Sequence, residues 1–320
     1  MRDRFNSLDG WRGISILFVL AGHLLPIGPK IWLLNGAVAS AGMALFFILS
    51  GFLITNLLIK DQNIFNFLIR RFLRILPLAW LFIVVTFIII GADSATYIAH
   101  LLFYANWPPM ALTLPTAHFW SLCLEMQFYV GIALLICLLK RHVFLVLPIL
   151  CLSITAFRYI NGVEMAINTY YRADEILAGC ILAIMLNSNH EKIKYILSKL
   201  SIFYLLPLLI LSAHPASNEL NYFRPYIALA LVGSTLTKEK YGEKWLKCSF
   251  LSYMANISYA LYIIHGGLMH TWLGSGDTLE KYMKRPLLLI ATFALAHLST
   301  FYYEKYWINL GKKLSKKTYT

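Results

Sequence analysis

Apolar stretches alternate with short polar breaks along nearly the whole chain, near residues 13–29, 37–59, 75–91, 118–139, 143–159, 173–187, 200–214, 223–237, 250–272 and 286–306. Each is long enough, or nearly so, to cross about 30 Å of hydrocarbon as a helix, so the pattern predicts ten spans. An eleventh stretch, 96–112, is interrupted by His100, Asn106 and Pro108-Pro109. Prolines and polar side chains there argue against a crossing, and the segment is expected to dip in or lie along the surface. Polar loops reach only about a dozen residues, and no low-complexity linker or repeat stands out. Residues 1–320 are therefore expected to form a single membrane domain, an all-α polytopic fold of about ten transmembrane helices plus one interrupted, non-spanning segment.

Composition agrees. Hydrophobic side chains make up 59% of the 320 residues and charged ones 13%, with a mean hydropathy of +0.66, far from the balance of a soluble globular domain. The net charge of +13 is informative through its placement. If 96–112 does not cross, 20 of the 28 Lys and Arg fall on one side. They lie in the N-terminal stretch with Arg12, the loop of Arg70, Arg71 and Arg74, the breaks at 140–142, 188–199 and 238–249, and the C-terminal tail. The positive-inside rule then places both termini in the cytoplasm and makes nucleic-acid binding a poor explanation of the charge. The N-terminus has no small-residue cleavage site after its apolar run and is read as a retained first span. Five cysteines stand singly, without CxxC or Cys/His clusters, so neither a disulfide framework nor a metal is expected.

Ionisable groups inside spans are costly and point to function. Arg12 stands at the entrance of the first span and His23 well inside it. Eleven helical steps put both on one side, roughly 16 Å apart along the axis. By the same topology, Glu125, His265 and the pair Arg172 and Asp174 fall in the outer halves of their spans, a depth at which one polar cavity would take them with His23. On the inner side Arg71 and Arg74, three apart, share a helix face, and their planar guanidinium forks suit phosphate groups. An anion site below and an acid/base set above is the arrangement these positions suggest. Each has a plainer reading, as helix-packing hydrogen bonds or ordinary positive-inside charges.

The order of motifs resembles the acyltransferase-3 family of integral membrane acyltransferases. The resemblance covers nearly the whole chain: Leu8-Asp9-Gly10-Trp11-Arg12-Gly13 through His23; Phe46-Phe47-Ile48-Leu49-Ser50-Gly51-Phe52; Arg71-Phe72-Leu73-Arg74-Ile75-Leu76-Pro77; Phe119-Trp120-Ser121-Leu122 with Glu125 and Phe128-Tyr129; Arg172 and Asp174 before Gly179; and Ile257-Ser258-Tyr259 to His265. One departure is Tyr303-Glu304-Lys305-Tyr306, which lacks the proline the family commonly places after its glutamate, so no role is carried over to Glu304.

The resemblance implies transfer of an acyl group, most often acetyl, from cytosolic acyl-CoA to a hydroxyl of a glycan or glycolipid at the far face of the cell's inner membrane. It also marks Arg12, His23, Arg71, Arg74 and Glu125 as the positions that matter most. His23 is then expected to act as general base with Glu125 supporting the imidazole, Arg12, Arg71 and Arg74 to hold acyl-CoA, and Arg172, Asp174 and His265 to serve the acceptor. Acting as a membrane domain alone, such a chain would modify exopolysaccharide, lipopolysaccharide O-antigen or a lipid-linked sugar directly. The alternative from another class is a proton-coupled or anion carrier that uses Arg12, His23 and Glu125 as a path. No inverted repeat of spans supports it.

Overall fold

A computed structural model describes residues 3–188, 190–238 and 244–316, with the side chains of 3–6 and 316 left aside. Of the basic residues assigned to the inner side, Arg2, Lys240 and Lys317 and the side chains of Arg4 and Lys316 thus lie outside the described residues. Every regular element among the described residues is helical. In chain order the α-helices are α1 (Asp3–Leu24), α2 (Leu34–Lys60), α3 (Ile64–Ile90), α4 (Ser94–Leu101), α5 (Phe119–Leu139), α6 (Val143–Ile160), α7 (Thr169–Asn187), α8 (Glu191–Lys199), α9 (Ile202–Ser212), α10 (Leu220–Thr237), α11 (Ser249–Met269), α12 (Thr278–Leu298) and α13 (Lys305–Lys316). A π-helical stretch, Ser299–Glu304, joins α12 to α13.

Among the described residues, four helical runs are long and apolar enough to cross a membrane: Leu34–Lys60, Ile64–Ile90, Phe119–Ile160 and Thr278–Ser315. The pair α8 and α9, bent by 85°, makes a fifth if taken as one broken span. The chain is therefore an all-helical membrane protein with several apolar spans. The interrupted segment forms only α4, eight residues that cover about 12 Å and cannot cross. Beyond it the chain is tied down by polar bonds. Gln127 on α5 donates to the Phe103 carbonyl at 2.7 Å and to Asn106 at 3.0 Å, and Trp107 donates to Gln127 at 2.9 Å. The ring of His100 sits between the Thr96 carbonyl and the Thr116 hydroxyl, each at 2.9 Å.

The helices group into two compact units, residues 1–61 with 141–256 and residues 62–140 with 257–320. In the first, α2 packs on both α1 and α7, and α10 packs on α7, α8 and α9. The α2–α7 crossing is closed by reciprocal glycines. A side-chain carbon on Gly51 would collide with the Ile176 carbonyl, and one on Gly179 with the Ile48 carbonyl. Small residues let two backbones approach in this way, which is how helices associate in lipid. At the start of α1, Trp11 is fully buried and its indole N–H donates to Thr235 at 3.0 Å.

In the second unit α3 is the central helix. Asn63 caps it by accepting from the Asn66 N–H, which starts the helix eleven residues before the apolar run at Ile75 that the sequence pattern marks. Pro77 withdraws one donor from its ladder, and nearby carbonyls take other partners: Tyr259 donates to Ile75 at 2.6 Å and Tyr303 to Pro77 at 3.3 Å. α13 lies along α3, where Arg70 donates to Ser315 at 2.8 Å.

The glycine crossing gives a direct test of the packing. Gly51→Ala is expected to lower the thermal stability of the detergent-purified protein by about 1–3 kcal/mol, because backbone must give way. Gly131→Ala, on α5, meets nothing and is expected to be neutral or to stabilise by up to about 1 kcal/mol through helix propensity. Thermal unfolding of the two variants beside the parent measures both.

Candidate active site

In the second unit a polar line runs along one face of an otherwise apolar helix. His118, Ser121, Glu125 and Tyr129 follow one another at spacings of three, four and four, and so project from the same side of α5 and the turn before it. All four are buried. The lower end of the line is built around Tyr129, whose hydroxyl donates to Glu125 Oε1 and whose ring lies under the Arg71 guanidinium, 5.7 Å from centroid to carbon. Arg74, one turn further along α3, is within electrostatic reach of Arg71, Glu125, Tyr129 and Glu304. Two half-buried guanidiniums thus share a site with two buried carboxylates and a phenol.

The other end is a hydroxyl and imidazole group. The Tyr262 hydroxyl donates to the His118 carbonyl at 2.6 Å and lies 2.5 Å from the Ser121 hydroxyl. His118 donates through Nε2 to the Ile263 carbonyl at 3.2 Å, and its ring centroid is 5.1 Å from that of His265. His265 in turn donates through Nδ1 to the Tyr262 carbonyl at 2.8 Å. The line from Tyr129 to His118 covers eleven residues, about 16 Å of helix.

This arrangement revises the expected separation between an anion site below and an acid/base set above. Arg71 and Arg74 belong to the body of α3 and not to a loop before it, so they reach Glu125 and Tyr129. Glu304, to which no role was carried over, is drawn in by the π-helix, where Ser299 and Thr300 donate to it at 3.2 and 3.0 Å. π-Helical turns often mark functional sites because the extra residue per turn re-aims a side chain. His118, to which sequence reasoning gave no role, joins His265. The spacing 118, 121, 125, 129 was a signal available for both His118 and Tyr129.

The first unit carries the remaining candidates. Arg12 and His23 lie on the continuous α1, as expected, with Arg12 half-buried. His23 stands in the last turn of a helix that ends at Leu24, where Pro26 and Pro29 follow. Asn35 fixes that turn, accepting weakly from the Ile27 N–H and donating to the carbonyls of Gly22 at 2.8 Å and Leu25 at 2.6 Å. These are carbonyls a helix C-terminus leaves without partners. Arg172 binds Glu175 at 3.2 Å, Asp174 binds Arg158 at 2.5 Å, and Arg224 also binds Glu175 at 2.5 Å. Of the residues singled out from sequence, Arg12, His23, Arg172 and Asp174 therefore belong to the first unit, and Arg71, Arg74, Glu125 and His265 to the second. Among the described residues no group of three or more His, Cys, Asp or Glu side chains is disposed to hold a metal ion.

The chain is similar to "Putative O-acetyltransferase SACOL0978" of Staphylococcus aureus (strain COL), 27% identical over 306 residues, 81% of this chain and 50% of that protein. It is 25% identical over 343 residues to the peptidoglycan O-acetyltransferase OatA of Listeria monocytogenes serovar 1/2a, covering 92% of this chain and 54% of that one. To the O-acetyltransferase OatA of Staphylococcus aureus (strain NCTC 8325 / PS 47) it is 28% identical over 211 residues, 55% of this chain and 34% of that one. The chain thus spans about half the length of the curated relatives it matches. No solved structure matches. The acyltransferase-domain profile of the acyltransferase-3 family matches residues 5–307, and the chain belongs to that family.

Proposed function

We propose that the chain is an O-acyltransferase of the cell's inner membrane that moves an acetyl group from cytosolic acetyl-CoA to a hydroxyl of a cell-surface glycan or its lipid-linked precursor. The observation that carries this reading is the Arg71, Arg74, Glu125 and Tyr129 cluster on α3 and α5, inside a chain of the acyltransferase-3 family. Guanidinium groups three apart on one helix face offer parallel N–H donors to phosphate oxygens, the dominant charge on a CoA thioester. Glu125 and Glu304 partly balance the cations, which keeps half-buried guanidiniums tolerable at that depth. Arg12, half-buried nine residues into α1, is the third donor-side cation in this reading.

On the acceptor side His23 takes the proton from the attacking hydroxyl. A C–O bond forms to the thioester carbon, the C–S bond breaks, and the imidazolium returns its proton to the departing CoA thiolate. Products are the O-acetyl ester and free CoA. Asn35 holds the turn that carries His23. Arg172, Asp174 and His265 are assigned to the acceptor. One relative is named for peptidoglycan; here the acceptor class is a surface polysaccharide, O-antigen or lipid-linked sugar.

Two measurements test the reading. With purified, reconstituted protein and labelled acetyl-CoA, His23→Ala is expected to cut transfer to isolated surface glycan by about 10²-fold or more, the range for loss of a general base, while its unfolding temperature stays at the parent value. Transfer at the parent rate would refute the role. Arg71→Ala and Arg74→Ala are each expected to raise the KM for acetyl-CoA about tenfold, equivalent to about 1.4 kcal/mol of donor binding, with a smaller change in kcat. A carrier without acyl transfer would show no acetyl-CoA consumption in either assay.

A further inference from the structure

One end of the first unit contains a charge cluster that its own pairing leaves incomplete. It is built from the last turn of α6 and the first turns of α7 and α10. Arg158, Arg172 and Arg224 face Asp174 and Glu175, and none of the five is more than 2% exposed. Every nitrogen of Arg158 is engaged: Nη1 to Asp174, Nη2 to the Glu164 carbonyl at 2.6 Å and to Asn221 Oδ1 at 3.0 Å, and Nε to the Val163 carbonyl at 3.4 Å. Glu175 is held on both oxygens, by Arg172 and by Arg224 Nε. Three guanidiniums against two carboxylates leave one positive charge over among these buried groups.

The surplus can be traced to particular atoms. Arg224 is bound only through Nε, and its Nη1 and Nη2 have no partner, although the residue is completely buried. Asn221 lies three residues earlier on the same face of α10, and its Nδ2 is also without a partner. A single acceptor, Asp174 Oδ1, is left over as well. Unmet donors in such a place cost about 1–3 kcal/mol each, and native structures rarely keep several together. The outer edge of a guanidinium is the shape that takes two oxygens of one carboxylate or phosphate. Both helix starts beside it, α7 and α10, add their positive ends. Asp174 Oδ1 repels an anion laid against it but accepts from a hydroxyl, so the complementary ligand carries an oxyanion with an alcohol close by.

We propose that Arg224 and Asn221, with Asp174 as hydroxyl acceptor, form a binding subsite for an acidic sugar group, either a sugar carboxylate or a sugar phosphate. Arg172 and Arg224 are the fourth and fifth residues of their helices, about 5 Å from the helix starts. Assigning that sugar to the acceptor glycan rests on the acyl-transfer reading above; the subsite itself does not, and its test uses no acyl donor.

The experiment is thermal unfolding of the full chain, purified in neutral detergent at constant sodium concentration, titrated with glucuronate, glucose 1-phosphate, glucose or chloride. A saturable rise in Tm of several degrees with glucuronate or glucose 1-phosphate, absent with glucose and chloride, is expected, and the stronger of the two names the source of the oxyanion. Arg224→Lys keeps the charge and removes the fork, and is expected to weaken the response about tenfold, the loss of one charge-assisted hydrogen bond. Asn221→Asp retains the acceptor for Arg158 and brings in a carboxylate of its own. It is expected to unfold at a higher temperature than the parent without ligand and to lose the response. The proposal is overturned if no sugar acid or phosphate exceeds chloride, if glucose acts equally, or if Asn221→Asp responds as the parent does.

Discussion

A polar group inside an apolar helix bundle must find its partner within the protein, because lipid offers none. That constraint organises what the chain does with its few interior charges. In the second unit it produces one continuous seam, in which Tyr129 bonds Glu125, Arg71 lies over Tyr129, and Tyr262, Ser121 and His118 pass hydrogen bonds along the same helix face. In the first it produces a knot of five charged side chains at one end of α6, α7 and α10. Apolar surface elsewhere is ordinary for a chain that faces hydrocarbon, so function concentrates where the sequence spends ionisable groups.

The two clusters solve the problem differently. Around Arg74 the carboxylates of Glu125 and Glu304 are within electrostatic reach, and the arginines stay half-buried. Cations held in that way keep donors available for a phosphate. Around Glu175 the pairing is short and almost complete, which is the mark of a rigid element, and the edge of Arg224, Nδ2 of Asn221 and Oδ1 of Asp174 remain unmet. Looseness in one place and near-saturation in the other separate a site for a charged, exchangeable donor from a site for one complementary group.

Much of this was legible from residues alone, for physical reasons. Hydrophobic run length and the break at Pro108-Pro109 marked α2, α3, α5 and the short α4, since hydrocarbon thickness and proline geometry leave little freedom. Spacing put Arg71 with Arg74 on one face and Arg12 with His23 on one helix. What escaped was set by tertiary partners. Asn63 begins α3 before its apolar run, which makes the helix face of Arg71 and Arg74 part of one long helix beside α5. The helix ends at Leu24, where the apolar pattern read it on to residue 29. α8 is too polar to read as part of a span, and its 85° bend to α9 has no signature in periodicity. Glu175 and Arg224 gave no motif signal; only their mutual distance reveals them.

The measurement that bears most directly on the central claim is photo-crosslinking of the reconstituted protein with an acetyl-CoA analogue carrying a diazirine near its phosphates, followed by peptide mapping. Labelling is expected on the segment of α3 that contains Arg70 through Pro77, suppressed by excess acetyl-CoA. Specific labelling confined to other helices, with that segment untouched, would contradict the account.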